Sequence, residues 1–177
     1  MSQISLIAWS AAEGARKRGF EVPDWDQNLP AKLIFAIGEL DEAVEATEFQ
    51  YTNVDVFAEE LADVCLRLLG VLHEISDEGK NWCPDRIAER HVEKPSMAFV
   101  PVEKLLWPAL RYIIKAAECW RTNGPQSKSD AIINLELAVL AVFRVSDRLG
   151  IDLVAACDRK LAQNDKRPRY HGKGRTI

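Results

Sequence analysis

The stretch KLIFAIGELDEAVEATEFQYTNVDVFAEELAD, residues 32–63, decides how this chain is read. It holds two acidic pairs. Glu39 and Glu42 lie in Gly38-Glu39-Leu40-Asp41-Glu42-Ala43, and Glu60 and Asp63 in Glu59-Glu60-Leu61-Ala62-Asp63-Val64. Leu33, Ile37, Leu40 and Val44 recur at spacings of four, three and four, the apolar stripe of a helix. Leu61, Cys65, Leu68 and Leu72 form a second stripe, widened by Val64, Leu69 and Val71. Acids three apart neighbour each other on a helix, with about 5–6 Å between side-chain bases. Two consecutive antiparallel helices, over about 30–49 and 54–76 with a turn at Thr52-Asn53, aim all four carboxylates at one point. Hard ions such as Mg²⁺ and Mn²⁺ take oxygen ligands of this kind, and helical bundles build metal sites this way. Either pair alone reads more simply as a solvated helix face, and Arg67, four after Asp63, suits a surface ion pair. Both pairs on consecutive helices shift the reading toward metal.

Composition frames that site. The chain has 177 residues, 47% hydrophobic and 28% charged, enough for one packed domain or two small ones. A net charge of -4 argues against binding nucleic-acid backbones, which takes a basic surface. No apolar run approaches the roughly 20 residues of a membrane span. The first residues, Met1-Ser2-Gln3-Ile4, lack the regions of a signal peptide. Cys65, Cys83, Cys119 and Cys157 show no Cys-x-x-Cys spacing and read as reduced thiols. These features predict a cytoplasmic protein.

Upstream, Ile4, Ile7, Ala8, Ala11, Ala12 and Ala15 predict a helix over 2–19 that Gly19 ends. Pro23, Asp24, Asn28 and Pro30 predict an irregular loop over 20–30, with Pro30 opening the next helix. Phe20 and Trp25 either pin this loop by burial or, for Trp25, line a base pocket.

Downstream, residues 77–100 read as a turn, a short helix from Cys83-Pro84 to His91, and an extended linker between Pro95 and Pro101. The chain then echoes itself. Lys32-Leu33-Ile34-Phe35-Ala36 resembles Lys104-Leu105-Leu106-Trp107-Pro108, and Glu60-Leu61-Ala62 resembles Glu136-Leu137-Ala138, at offsets of 72 and 76. Helices are expected over 102–122 and 128–149, joined by Gly124-Pro125-Gln126-Ser127. In this register Arg111, Ile114 and Val139 stand where Glu39, Glu42 and Asp63 stood. One hairpin is then functional and its copy degenerate.

Gly150-Ile151-Asp152-Leu153 starts a last helix, with Asp152 capping its first turn. Lys160, Asn164 and Arg167 recur at four and three on one side of it, and Pro168-Arg169-Tyr170-His171-Gly172-Lys173 follows. Lys and Arg donors suit phosphate. The plainer alternative is a solvated, frayed tail.

Together these pieces resemble the MazG-like all-α nucleotide pyrophosphohydrolases, a superfamily that includes the dimeric dUTPases. The resemblance rests on Lys32-Leu33, Gly38 to Ala43, Glu59 to Val64, Leu149-Gly150-Ile151-Asp152-Leu153, and Lys160 to Gly172 with Asn164, Arg167-Pro168 and His171-Gly172. It covers about half the chain. It implies Mg²⁺, with Mn²⁺ as a substitute, on Glu39, Glu42, Glu60 and Asp63. It implies cleavage of a nucleoside triphosphate between its α and β phosphates. Lys160, Asn164 and Arg167 would contact the nucleotide; Lys32 and Trp25 are further candidate nucleotide-binding residues. Glu59 or Glu45 would accept the proton of the attacking water.

Two departures stand out. Many relatives carry a further Glu at the position of Ala36, and the second hairpin is an insertion. Relatives often build the bundle from two subunits, so the second half would replace a partner internally, leaving a homodimer of pseudo-dimers possible. The expectation is an all-α bundle of six or seven helices, two tandem hairpins forming a pseudo-dimer. Its parts are an acidic half over 1–80, a linker over 81–100, a degenerate hairpin over 101–150 and a nucleotide-contacting segment over 151–177. The leading function is metal-dependent pyrophosphohydrolysis of a nucleoside triphosphate. A catalytically impaired nucleotide-binding or regulatory protein is the alternative, and a purely structural helical module is a third reading.

Overall fold

The computed structural model describes residues 2–17, 25–48, 54–76, 87, 101–122 and 125–166. Nearly all of them lie in six helices: α1 (Gln3–Lys17), α2 (Trp25–Glu48), α3 (Val54–Ile75), α4 (Val102–Arg121), α5 (Pro125–Arg148) and α6 (Leu153–Lys166). No strand occurs among the described residues, and the helices form a bundle, as the periodicity required. None of these helices is long and apolar enough to cross a membrane.

The bundle is organised on α3, which packs against α1, α2, α5 and α6. Its sequence explains that place. Leu61, Cys65, Leu68 and Leu72 are fully buried, and so are Val64 and Leu69 on the flank. A stripe this wide needs neighbours on several sides. α1 and α6 pack on each other and on α3, while α4 packs only on α5 and α2 among the described elements.

α2 differs from expectation at both its start and its face. It begins at Trp25, so residues 25–30 are helix rather than loop, and Pro30 sits inside it. Proline there forfeits one backbone hydrogen bond, but Leu29 is fully buried in the same turn and holds it to the core. The buried stripe is Leu33, Ala36, Leu40 and Ala43, with Ile37 and Val44 only half-buried. The two alanines let the neighbouring backbone come close. Ala36 is therefore a core residue, fully shielded from solvent.

The two hairpins share a burial pattern in a register that the sequence echo missed. Residues 31–47 and 104–120 alternate between buried and exposed identically. Leu33, Ala36, Leu40 and Ala43 answer to Leu106, Ala109, Ile113 and Ala116, a register of 73 rather than 72. In the second helices Phe57, Ala58, Leu61 and Ala62 answer to Ala131, Ile132, Leu135 and Glu136, a register of 74 rather than 76. The Glu-Leu-Ala echo is a short identity between two amphipathic helices, and the burial patterns match at a different offset. By burial, Glu39, Glu42, Glu60 and Asp63 are matched by Tyr112, Lys115, Asn134 and Leu137, instead of Arg111, Ile114, Glu136 and Val139.

The segment Leu149-Gly150-Ile151-Asp152-Leu153 is a compact joint between α5 and α6. Gly150 adopts φ 69°, the left-handed region that favours glycine. The Ile151 amide donates to Ser146 O at 2.8 Å and the Gly150 amide to Asp147 O at 3.1 Å, a Schellman closure. Ile151 is buried, and Asp152 Oδ1 accepts from the Ala155 amide at 2.9 Å, the cap expected of it. Gly19, Thr52-Asn53 and the short helix expected near 84–91 lie outside the described residues, except for buried Ile87. Cys65, Cys119 and Cys157 are free thiols.

Candidate metal centre

Glu39 and Glu42 on α2 face Glu60 on α3. One carboxylate oxygen from each lies within 4.8 Å of those of the other two. Glu39 and Glu60 are half-buried and Glu42 is exposed, so the cluster opens to solvent on the α2 side. Three hard oxygen donors converging at this distance fit a Mg²⁺ or Mn²⁺ ion that keeps several waters.

The fourth acid does something different. Asp63 Oδ2 lies 2.7 Å from Lys160 Nζ, and Glu59 Oε2 lies 3.8 Å from the same ammonium. Lys160 comes from α6 and is buried. The expected convergence of four carboxylates is thus three, plus an aspartate held by a lysine from another helix. Lys160 is where the C-terminal motif meets the acidic one. Asn164, half-buried, lies one helical turn further on the same side of α6. Arg167 lies outside the described residues, as does the side chain of Trp25.

Crowded charge shapes the titration of these groups. Burial raises the Glu39 carboxyl above its ordinary range, and Asp63 adds to it; the charge and hydrogen bond of Arg67 pull it down without cancelling the rise. Burial also raises Glu60, opposed by Lys160 and reinforced by Asp63, Glu42 and Glu39. For Lys160, burial works downward, but the hydrogen bond and charge of Asp63, with Glu60 and Glu59 behind, carry it up. Burial is the largest cause for both glutamates, because it disfavours the ionised carboxylate.

Arg67 is the residue that the sequence misplaced. The plain reading of a solvated helix face pairs it with Asp63, one turn back on its own helix. Its Nε and Nη2 reach across to Glu39 Oε1 at 3.2 and 3.1 Å, while Lys160 pairs with Asp63. Its guanidinium also lies 5.7 Å from the centre of the Phe35 ring. Lys32 pairs with Glu74, near the far end of α3. It stands seven residues before Glu39, roughly 10 Å along α2 from the carboxylate cluster. Glu45 is exposed on α2, three residues after Glu42.

Comparisons of the chain with models of known families, with curated proteins and with solved structures returned no match.

Proposed function

We propose that this protein is a metal-dependent nucleoside triphosphate pyrophosphohydrolase, acting on substrate in the cytoplasm. The observation that carries the reading is the convergence of Glu39, Glu42 and Glu60 within 4.8 Å, beside a buried lysine delivered by the C-terminal motif. It is the coincidence of the two halves that supports the reading, not either half alone. An acidic cluster by itself is common on helix faces, and a buried lysine by itself can be structural.

Glu39, Glu42 and Glu60 would hold the cation. A bound divalent ion supplies charge neutralisation for the phosphates and a more acidic water. Lys160, tethered to Asp63 and Glu59, presents its ammonium at the edge of that cluster. Incoming phosphate oxygens would share it. Asn164 would donate its amide to the same phosphate chain from one turn away. Glu59 or Glu45 would accept the proton of the attacking water. The resemblance to the MazG-like enzymes supports this assignment of roles and the cut between the α and β phosphates.

We also infer that the two hairpins are an internal pair standing in for two subunits. The matched burial of 31–47 and 104–120 supports this. So does the packing of like on like, α2 against α4 and α3 against α5. The second hairpin keeps none of the four acids at the matching positions, which leaves one site per chain.

The test is pyrophosphate release from a panel of deoxy- and ribonucleoside triphosphates with Mg²⁺ or Mn²⁺, beside an Asp63→Asn control. Metal-dependent release that the control abolishes is the expected result, and it reveals the base preference. A folded protein that releases nothing from any nucleotide overturns the enzyme reading in favour of a nucleotide-binding protein.

A further inference from the structure

Phe35 is an aromatic side chain left 60% exposed in the middle of α2, one turn before a candidate metal-ligating carboxylate. Phe35, Glu39 and Glu42 stand at i, i+4 and i+7, so they line one face of the helix. Along the helix axis Phe35 lies about 6 Å from Glu39 and about 10 Å from Glu42. Its ring is held from the neighbouring helix. Arg67 on α3 places its guanidinium 5.7 Å from the ring centre, within cation–π range. The same guanidinium donates to Glu39 Oε1 from both Nε and Nη2. Ring, guanidinium and carboxylate are one connected unit running from the open surface to the edge of the cluster. A lone apolar side chain on a surface needs no explanation. An exposed ring tied through its neighbour to the carboxylate cluster does, because it is oriented before anything binds.

Lys160 marks the other end of the site. It meets α3 at Asp63 and Glu59, whereas Arg67 and the ring it holds stand one turn beyond Asp63. The carboxylates therefore have a buried ammonium on one side and an exposed aromatic ring on the other. A nucleoside triphosphate has the same polarity, with phosphates at one end, a flat base at the other and a sugar between. We propose that Phe35 is the platform on which the base of the substrate stacks, with the phosphates directed toward Lys160; this rests on the function proposed above. The exposed surface of the ring takes the base, and Arg67 keeps the ring in place. Stacking reads a π-face, which every base has. The platform thus separates nucleoside triphosphates from inorganic polyphosphate without selecting one base.

The experiment is calorimetric titration of the full chain in the presence of Mn²⁺. The probes are the α,β-methylene analogues of one purine and one pyrimidine deoxynucleoside triphosphate, which resist cleavage, and inorganic tripolyphosphate, which has no base. Wild type is expected to bind all three. Phe35→Ala should weaken both analogues by about tenfold, the worth of one base stacked on an aromatic side chain, and leave tripolyphosphate unchanged. Phe35→Leu keeps apolar bulk without a π-face and should lose nearly as much, while Phe35→Trp should retain wild-type affinity. Phe35 is exposed, so these substitutions leave the core intact. Analogues that bind Phe35→Ala as tightly as wild type overturn the platform and leave the proposed function standing. Equal losses for the analogues and tripolyphosphate also overturn it, since Phe35 then only supports the cluster through Arg67. A loss confined to one of the two bases contradicts a stack that accepts any base. Binding of no probe by folded wild type overturns the proposed function and this inference together.

Discussion

Lys160 Nζ lies 2.7 Å from Asp63 Oδ2, and this pair ties α6 to α3 at the edge of the carboxylate cluster. With Lys160 only 8% exposed and Asp63 20%, the pair is shielded from water on most sides. Removing one partner strands the charge of the other, which is more costly than the pair itself is valuable. The rise in the Lys160 pKa fixes the sign of its pH effect. Its contribution is fully present below the ordinary lysine range and is lost as pH climbs through the raised folded value.

Lys160→Met is therefore expected to destabilise the fold by about 2–4 kcal/mol at neutral pH. Asp63→Asn in the same chain should return part of that loss. A coupling of about 1 kcal/mol or more in the double-mutant cycle, read from denaturant unfolding, checks the direct pairing. Additivity of the two substitutions would contradict it.

Glu60→Gln should stabilise the metal-free protein. The Glu60 carboxyl is raised by burial and by its acidic neighbours, so the folded state binds its proton more tightly than the unfolded chain does. Stability then falls as pH rises from the ordinary glutamate value through the raised one. A neutral isostere removes that loss. Thermal unfolding without metal should show a higher Tm for Glu60→Gln at pH 7, with the gain vanishing toward pH 4. Added Mn²⁺ should raise the wild-type Tm and move the variant much less. An unchanged metal response would take Glu60 out of the ligand set.

The elements and the acids were legible because each writes a local pattern. The stripe through Leu61, Cys65, Leu68 and Leu72 is both periodic and wide, and it became the central helix. Asp152 and Gly150 announce a cap and a stop by chemistry that acts within a few residues. What the sequence hid is set between helices. Whether Ile37 or Ala36 enters the core depends on how closely the neighbouring helices approach, which no single-helix period records. Arg67 had two acids within reach, and it pairs with Glu39 while Lys160, from α6, pairs with Asp63. The two hairpins match in burial at offsets of 73 and 74, whereas the sequence echo suggested 72 and 76. Chance identity at Glu136 outweighed the burial pattern that aligns Asn134 with Glu60.

Gly150→Ala should cost about 1–2 kcal/mol, the penalty for a side chain at positive φ. An added Cβ would meet nothing within 4 Å, so the loss is conformational and not steric. Gly150→Asn should cost less, since asparagine tolerates this region better. Chemical denaturation of the pair orders them, and equal losses would mean that the joint relaxes to another turn.

Arg67 offers the sharpest pH test. Burial and Asp63 raise the Glu39 carboxyl, while the guanidinium of Arg67 opposes them by charge and by hydrogen bond. Removing that opposition, as in Arg67→Met, lets the Glu39 pKa rise further. Metal and proton compete for the same oxygens, so the pH below which Mn²⁺ binding fails should move upward in the variant. Arg67→Lys keeps the charge but loses the planar fork, and its shift should fall between wild type and Arg67→Met. Calorimetric titration of Mn²⁺ across pH 5 to 8 reads the midpoint directly. The same measurement also separates two effects of the guanidinium. At high pH, where Glu39 is ionised in every protein, Arg67→Met should bind Mn²⁺ more tightly than wild type, because a neighbouring positive charge has gone. Weaker binding than wild type at all pH values would mean instead that Arg67 holds Glu39 in its ligating position, and that the hydrogen bonds at 3.1 and 3.2 Å matter more than the charge.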